Sequence, residues 1–373
     1  MENARYPPGP RSIQFLGKIL QIRNDPLSVF QKWFEEYGPI YSIRIGAQNV
    51  IMLNDPNLVK ELFSDVSSAG RTVNPITNDT GDKTGVFHSQ GSVWKSQRRF
   101  THKKLRDIGV FKDSIGELLS EESTRLINFF DKRIGQPISS TKLFNGPVVN
   151  SLWKLIAGES TDWDSPAKPK IIQYSNDMVE RINRTAVSGL YFAPFLRLIA
   201  PEYFGCTKFL IASKKFHSLI KEAIKNHAEK QDSGLDNHQL PYTEAIVLET
   251  LRLSSIAPLG APHRMTADTL FHGYFLPKDT TVISNLWAIH HDPKVWGEDV
   301  NEFRPERFLN EDESKVIRHH ALMPFSTGKR KCIGEVWQPT QYSSLLHVFC
   351  KDLQFNLTPL LQFGLQNYIW ACY

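Results

Sequence analysis

Cysteine is scarce in this chain: Cys206, Cys332, Cys350 and Cys372 are the four among 373 residues. That is too few for a disulfide framework, so an apolar core has to carry the fold and the thiols read as reduced and intracellular. No partner pair stands at zinc-ligand spacing near Cys332, which argues against a zinc site there. Long apolar runs are also missing. The greasiest stretch, Leu190 to Gly205, contains two prolines and Arg197. It falls short of the roughly 20 apolar residues that a membrane span needs. The amino terminus, MENARY, is polar and carries no targeting signal, so no anchor is expected before Pro7. A strong excess of either charge is also lacking: the net charge is +5, which suits an acidic partner or a membrane surface without requiring nucleic acid. Internal repeats and low-complexity segments are absent. What remains is ordinary globular material, 41% hydrophobic and 22% charged. It is long enough to bury a sizeable core, and residues 1–373 read as one domain.

The patterning is mixed. Pro7 to Pro10 (PPGP) is a stiff extended entry. Asp25 to Gly38 predicts an amphipathic helix stopped by Gly38. Pro39 to Asp55 predicts two short strands around a turn that contains Gly46. Asp55 to Asp65 turns helical again, with Pro56 at the first position. From Gly91 to Ile224 the period is mostly helical, and from His263 to Ile283 it switches to short strands. HHDPKVWG and FRPERF form a turn-rich connection. The fold class is therefore mainly α with small β-sheets.

Four constellations carry chemistry. FSTGKRKCIG (Phe325 to Gly334) crowds Lys329, Arg330 and Lys331 against Cys332, with Gly328 before it and Gly334 after it. Cations beside a thiol favour the thiolate, which is the metal-binding form. On these residues alone, a basic surface loop with an incidental cysteine stands equally well. ETLR (Glu249 to Arg252) puts Glu249 and Arg252 on one helix face in greasy surroundings; a lone pair of this kind would read as a surface ion pair worth little. Arg307 of FRPERF is placed to join them, since guanidinium is planar and stays charged. WKSQRRF (Trp94 to Phe100) stacks Trp94 and Arg98, an indole N–H beside a guanidinium and a suitable clamp for a carboxylate. The plainer alternative is a core tryptophan with a solvated arginine. The last constellation comprises His263 of APHR and Arg71 after Gly70.

The ordered set WxxxR, ExxR, PERF, FxxGxRxCxG resembles the cytochromes P450. PPGP, LPYTEA and GYFLPKDTTV are similar to the microsomal animal type, family-2-clan-like, and the likeness runs from Pro7 to about Thr358. The resemblance implies a cytochrome P450 fold and haem b (iron protoporphyrin IX) with Cys332 as thiolate ligand. A thiolate pushes electron density onto iron and favours O–O cleavage. Phe325, Gly328 and Gly334 would shape the loop against the porphyrin, and a helix beginning after Cys332 would direct N–H groups at its sulfur. Arg330, Trp94, Arg98, His263 and Arg71 would meet the propionates. Glu249, Arg252 and Arg307 would form a structural triad remote from substrate. The implied activity is a haem-thiolate monooxygenase: O2, two electrons from NADPH–cytochrome P450 reductase and a lipophilic small-molecule substrate. Arg98 to Arg106 is a candidate docking face for that reductase or an ordinary solvated helix face. The family's place is the cytosolic side of the endoplasmic reticulum membrane. Without an anchor, this chain is expected to be cytoplasmic or peripheral, through the apolar surface around Leu190 to Leu198.

The departures matter as much. The family places a long central helix, with an A-G-x-[DE]-T motif, ahead of LPYTEA. Here Lys225 to Ala245 runs straight across as a short polar stretch, so an internal deletion near residues 230–240 is expected and the fold reads as incomplete. AGEST (Ala157 to Thr161) has Ser160 where an acid belongs and sits in the context of an earlier helix. Pro339 stands where the helix after Cys332 should continue, and the tail QFGLQNYIWACY does not resemble the family's closing strands. The alternative function is thus a catalytically impaired relative that binds haem without turnover or does not fold stably.

Overall fold

The structure is a computed structural model that describes residues 5–10, 22, 25–45, 48–72, 85–107, 116–136, 138, 143–157, 160–165, 169–177, 202, 207–208, 210–215, 218–219, 241–312 and 314–336. The apolar stretch Leu190 to Leu198, the expected deletion junction, Pro339, the tail, and Cys206, Cys350 and Cys372 lie outside the described residues.

The amino-terminal elements follow their sequence signals closely. Asp25 caps helix α1 (Pro26–Tyr37) by accepting from the Ser28 amide at 3.2 Å, and Gly38 ends it at φ 89°. Strands β1 (Ile40–Ile45) and β2 (Gln48–Leu53) pair antiparallel. Asp55 then caps α2 (Pro56–Ser64), accepting from the Asn57 and Leu58 amides at 2.8 and 3.0 Å. A capping carboxylate of this kind is worth about 1 kcal/mol. Strand β3 (Gly70–Arg71) is followed by α3 (Gly91–Asp107), α4 (Gly116–Asp131), α5 (Asn145–Ala157) and α6 (Pro241–Ser254). The strands β4 (His263–Arg264), β5 (Thr269–Phe271), β6 (Tyr274–Leu276) and β7 (Thr281–Ser284) come next, with short helices α7 (Leu286–His290) and α8 (Pro293–Trp296) after them.

One five-stranded sheet has the order β1-β2-β7-β4-β3, with β2 parallel to β7, and β5 and β6 form a separate pair. Residues alternate between its two faces. Ile51, Leu53 and Val282 join the cluster that holds Phe63, Leu248, Trp296 and Phe308, whereas Val50, Met52 and Ile283 join Phe30, Trp33 and Tyr41. Both faces are therefore covered. A third cluster, Leu126, Trp153, Trp163, Ile171 and Ile172, binds α4 to α5 and the segment after it. The entry segment lies along β1: the Ser42 amide donates to the Pro8 carbonyl at 2.7 Å.

The short outer strands place the site. In β3 and β4, Gly70 faces Arg264 and Arg71 faces His263, so two expected site residues are cross-strand partners. Their sequence neighbours run into α2 on one side and the loop before β4 on the other.

Candidate functional site

Arg330 and Arg98 lie against Trp94, and Arg71 and His263 stand next to Arg330. Arg330 is 5% exposed and spends its guanidinium on backbone carbonyls: Nε donates to Ala69 at 2.9 Å, Nη2 to Ser89 at 2.8 Å and Nη1 to Val86 at 3.3 Å. It lies 4.0 Å from the centroid of the Trp94 ring. Arg98, on the same helix as Trp94, donates from Nη2 to the Lys331 carbonyl at 2.8 Å. Arg71 donates to the carbonyls of Phe87, Ala261 and Pro262. His263 is buried, bonds Ser68 O through Nδ1 at 2.9 Å, and stacks flat on Phe63 at 3.7 Å.

The electrostatics of this group are one-sided. Burial, and then Arg71 and Arg98, hold Arg330 down to about 9. Burial and then Arg71 push His263 down to about 3. Burial lowers Arg98 as well. Among the described residues no carboxylate bonds Arg98 or Arg330, and the Trp94 indole N–H is buried without an acceptor. A buried donor without a partner costs about 1–3 kcal/mol. A guest bearing two carboxylates would satisfy the indole and relieve the mutual repulsion of the cations, and a haem carries that pair of groups. The donor set therefore fits a haem.

The cysteine loop borders the same cluster. Cys332 is exposed, and its amide donates to the Phe325 carbonyl at 3.0 Å. The three cations that surround it in sequence separate in space: Arg330 turns into the cluster, Lys331 pairs with Glu335 at 2.6 Å, and Lys329 faces solvent. Gly328, at φ 71°, has a reason the sequence did not suggest. A Cβ there would stand 2.0 Å from the Phe63 carbonyl, so glycine lets this loop abut α2. A Cβ at Gly334 would be 3.6 Å from the Cys332 sulfur, an ordinary contact. After Cys332 the backbone makes a 3-10 turn, Ile333–Val336, as far as it is described.

The Glu–Arg–Arg group assembles fully. Arg252 grips Glu249 with two bonds of 2.8 Å, both side chains being 0% exposed. Arg307 donates its Nε to the same carboxylate at 3.0 Å, and the Arg304 amide adds another bond at 3.0 Å. Trp296, Asp299 and Glu302 supply carbonyls to the two guanidiniums. Replacing Glu249 with alanine leaves Arg252 buried without an anion and Arg307 with Asp299 alone, at 3.4 Å. Loss of one partner of a buried pair costs about 3–5 kcal/mol. We expect Glu249→Ala to cut the unfolding free energy by that much in urea titration, or to give insoluble protein; wild-type unfolding would show the cluster to be dispensable.

AGEST is tied elsewhere. Thr161 donates its amide and hydroxyl to Asn150 Oδ1 at 2.6 and 2.7 Å. Asn150 in turn donates to the buried Glu122 at 2.6 Å, which also receives Trp163 Nε1 at 2.8 Å and Arg125 at 3.0 Å. Thr161 thus belongs to a lock between α4 and α5.

Two histidines escaped the sequence reading because HHDP looked like a turn. His290 is wholly buried between Ser255 and the Met323 amide, and burial lowers it to about 3; its neighbour His291 is lowered to about 4, also by burial first. Both fall from a usual value of 6.5, so the native state binds fewer protons than the unfolded chain. Their contribution is complete above about pH 6.5 and is lost as pH falls, at roughly 1.4 kcal/mol per unit for each. Urea midpoints should therefore drop between pH 7 and pH 5, and a flat profile would contradict the burial of these rings.

Comparison with known proteins identifies the family. The family described as Cytochrome P450 matches residues 7–239 and 234–337, so this chain belongs to the cytochrome P450 family, whose members are haem monooxygenases. Its relatives are animal proteins of the microsomal type. A farnesoate epoxidase of Bombyx mori is 25% identical over 416 residues, covering 88% of this chain and 84% of the relative. Cytochrome P450 2B19 of Mus musculus is 28% identical over 415 residues, with 89% and 84% coverage, and cytochrome P450 2F2 of Mus musculus 28% over 440, with 96% and 89%. Those aligned lengths exceed the 373 residues of this chain. Among the described residues no helix is long and apolar enough to cross a membrane.

Proposed function

We propose that the chain holds haem b through Cys332 and that Trp94, Arg98, Arg330, His263 and Arg71 receive the two propionates. The buried indole N–H of Trp94, lacking an acceptor inside a group of cations, is the observation that carries this reading. Bound haem supplies the oxygen chemistry of the family. The protein's part is to fix the cysteine, with Phe325 accepting the Cys332 amide, and to brace it. Gly328 lets the loop run against α2, while Glu249, Arg252 and Arg307 hold α6 against the segment Pro305–Phe308. With reductase and NADPH as electron source, the reaction class is oxidation of a lipophilic small molecule. The epoxidase relative is in keeping with an apolar, chain-like substrate. The family's setting is in keeping with the cytosolic face of the endoplasmic reticulum, where the basic run Arg98 to Arg106 of α3 would meet the reductase.

A second reading concerns turnover. The family match divides at residues 234–239, where the polar stretch replaces the expected central helix. This favours a single cytochrome P450 domain that binds haem but is impaired as a catalyst. The reduced carbon-monoxide difference spectrum of purified protein tests the site: a thiolate-type Soret band is expected, and protein that takes up no haem would overturn it.

A further inference from the structure

We propose that His290 is a positioning residue that ties the cysteine loop to the buried Glu249–Arg252 pair. Its consequence for ligation rests on Cys332 being the iron ligand, whereas its geometry does not. The ring bridges two elements far apart in sequence. Nε2 lies 3.1 Å from the Met323 amide, and Nδ1 lies 3.0 Å from Ser255 Oγ. The protons settle the direction of each bond. An amide can only donate, so Nε2 is the bare nitrogen and Nδ1 carries the hydrogen. The single Ser255 hydroxyl proton goes to the Arg252 carbonyl at 2.9 Å, which leaves Oγ to accept from Nδ1. Arg252 closes the ring by donating Nη1 to the His290 carbonyl at 2.8 Å. Every donor in this circuit has its acceptor.

The circuit continues to the cysteine. Met323 accepts from the Ser326 amide at 2.9 Å, and Phe325 accepts from the Cys332 amide at 3.0 Å. Ser255 and Ser326 both sit in the left-handed region, at φ 36° and 59°. Backbone of that kind persists only where its surroundings hold it, and His290 is bonded to one of these residues and stands one hydrogen bond from the other. A buried apolar side chain would fill the same volume without desolvation cost. It would leave the Met323 amide without an acceptor, the Ser255 hydroxyl without a donor, and the loop without its tie to the ion cluster. Closed polar circuits of this type select one arrangement among several of similar packing.

The test uses the full chain and three variants: His290→Phe, which keeps the bulk and loses both bonds; His290→Gln, whose side-chain carbonyl can replace Nε2 as acceptor; and Ser255→Ala, which removes the bonds to Nδ1 and to the Arg252 carbonyl but keeps the one to Met323. Amide hydrogen exchange across residues 323–332 reads the loop with no haem present. His290→Phe is expected to speed exchange there roughly tenfold. His290→Gln should restore rates to within about threefold of wild type, with Ser255→Ala falling between. In haem-loaded protein the share of the reduced carbon-monoxide complex in the thiolate-type band should follow the same order. Unchanged loop exchange in His290→Phe, or equal losses in the Phe and Gln variants, would overturn the proposal. If His290→Phe is insoluble, Ser255→Ala decides: wild-type loop rates there also overturn it. A wild-type chain without a thiolate band would refute Cys332 as ligand and leave the exchange comparison intact.

Discussion

Cys332→Ala is expected to abolish the thiolate-type spectrum completely while leaving the surrounding fold in place. Cys332 is exposed, and its amide bond to Phe325 belongs to the backbone, so the substitution removes the sulfur and little else. The anchoring of the loop is independent of it. Arg330 remains held by three carbonyls, Gly328 still abuts Phe63, and Lys331 still accepts Arg98. On the proposed reading, haem would keep the Trp94 and arginine contacts and lose the Cys332 sulfur. The expected variant therefore has near-wild-type unfolding and no thiolate band. A persisting thiolate band would move the ligand to another cysteine and cancel the assignment.

Reconstitution with reductase and NADPH is expected to give oxygenated product at least roughly a hundredfold more slowly than the family norm, because a positioned general acid is commonly worth about 10²–10⁴-fold. In the family, the central helix supplies the acid and hydroxyl that deliver protons on the oxygen side of the haem. The sequence from Lys225 to Ala245 carries no A-G-x-[DE]-T motif. AGEST offers no substitute, since Thr161 is committed to Asn150 and, through it, to Glu122. Without directed proton delivery for O–O cleavage, two electrons and two protons taken up by O2 leave as hydrogen peroxide. The measurement is the ratio of NADPH consumed to product and peroxide formed. Tight coupling to product would refute the prediction and require another segment to deliver the proton.

Much of the architecture was legible because local signals agreed with the global fold. Asp25, Pro26 and Gly38 bracket a helix in sequence and in space, and the two short runs either side of Gly46 gave a hairpin directly. The Glu249–Arg252 spacing announced one helix face, and the greasy flanks announced its burial. The reason for glycine at position 328 was not legible, because the atom it avoids belongs to Phe63, which no local pattern points to. His290 was hidden for a similar cause. HHDP carries strong turn chemistry, and its imidazole acquires meaning only from Ser255 and Met323, both distant in sequence. The apparent crowd of cations at Cys332 was misleading in the opposite way. Adjacency in sequence suggested a shared field, whereas the backbone sends Arg330 inward and lets Glu335 take Lys331.

The pairing of β3 with β4 has a consequence in time. Arg71 and His263 face one another across that ladder, and Arg330 reaches back to Ala69. A ribosome adding about 5–20 residues per second exposes the Trp94 helix many seconds before Arg330 exists. Contacts of such long sequence separation close late, because chain entropy is spent before they return anything. During that interval the nascent Arg71, Trp94 and Arg98 wait in an unfinished pocket. On the proposed reading, cofactor capture is thus confined to the end of synthesis, after Arg330 and Cys332 have emerged.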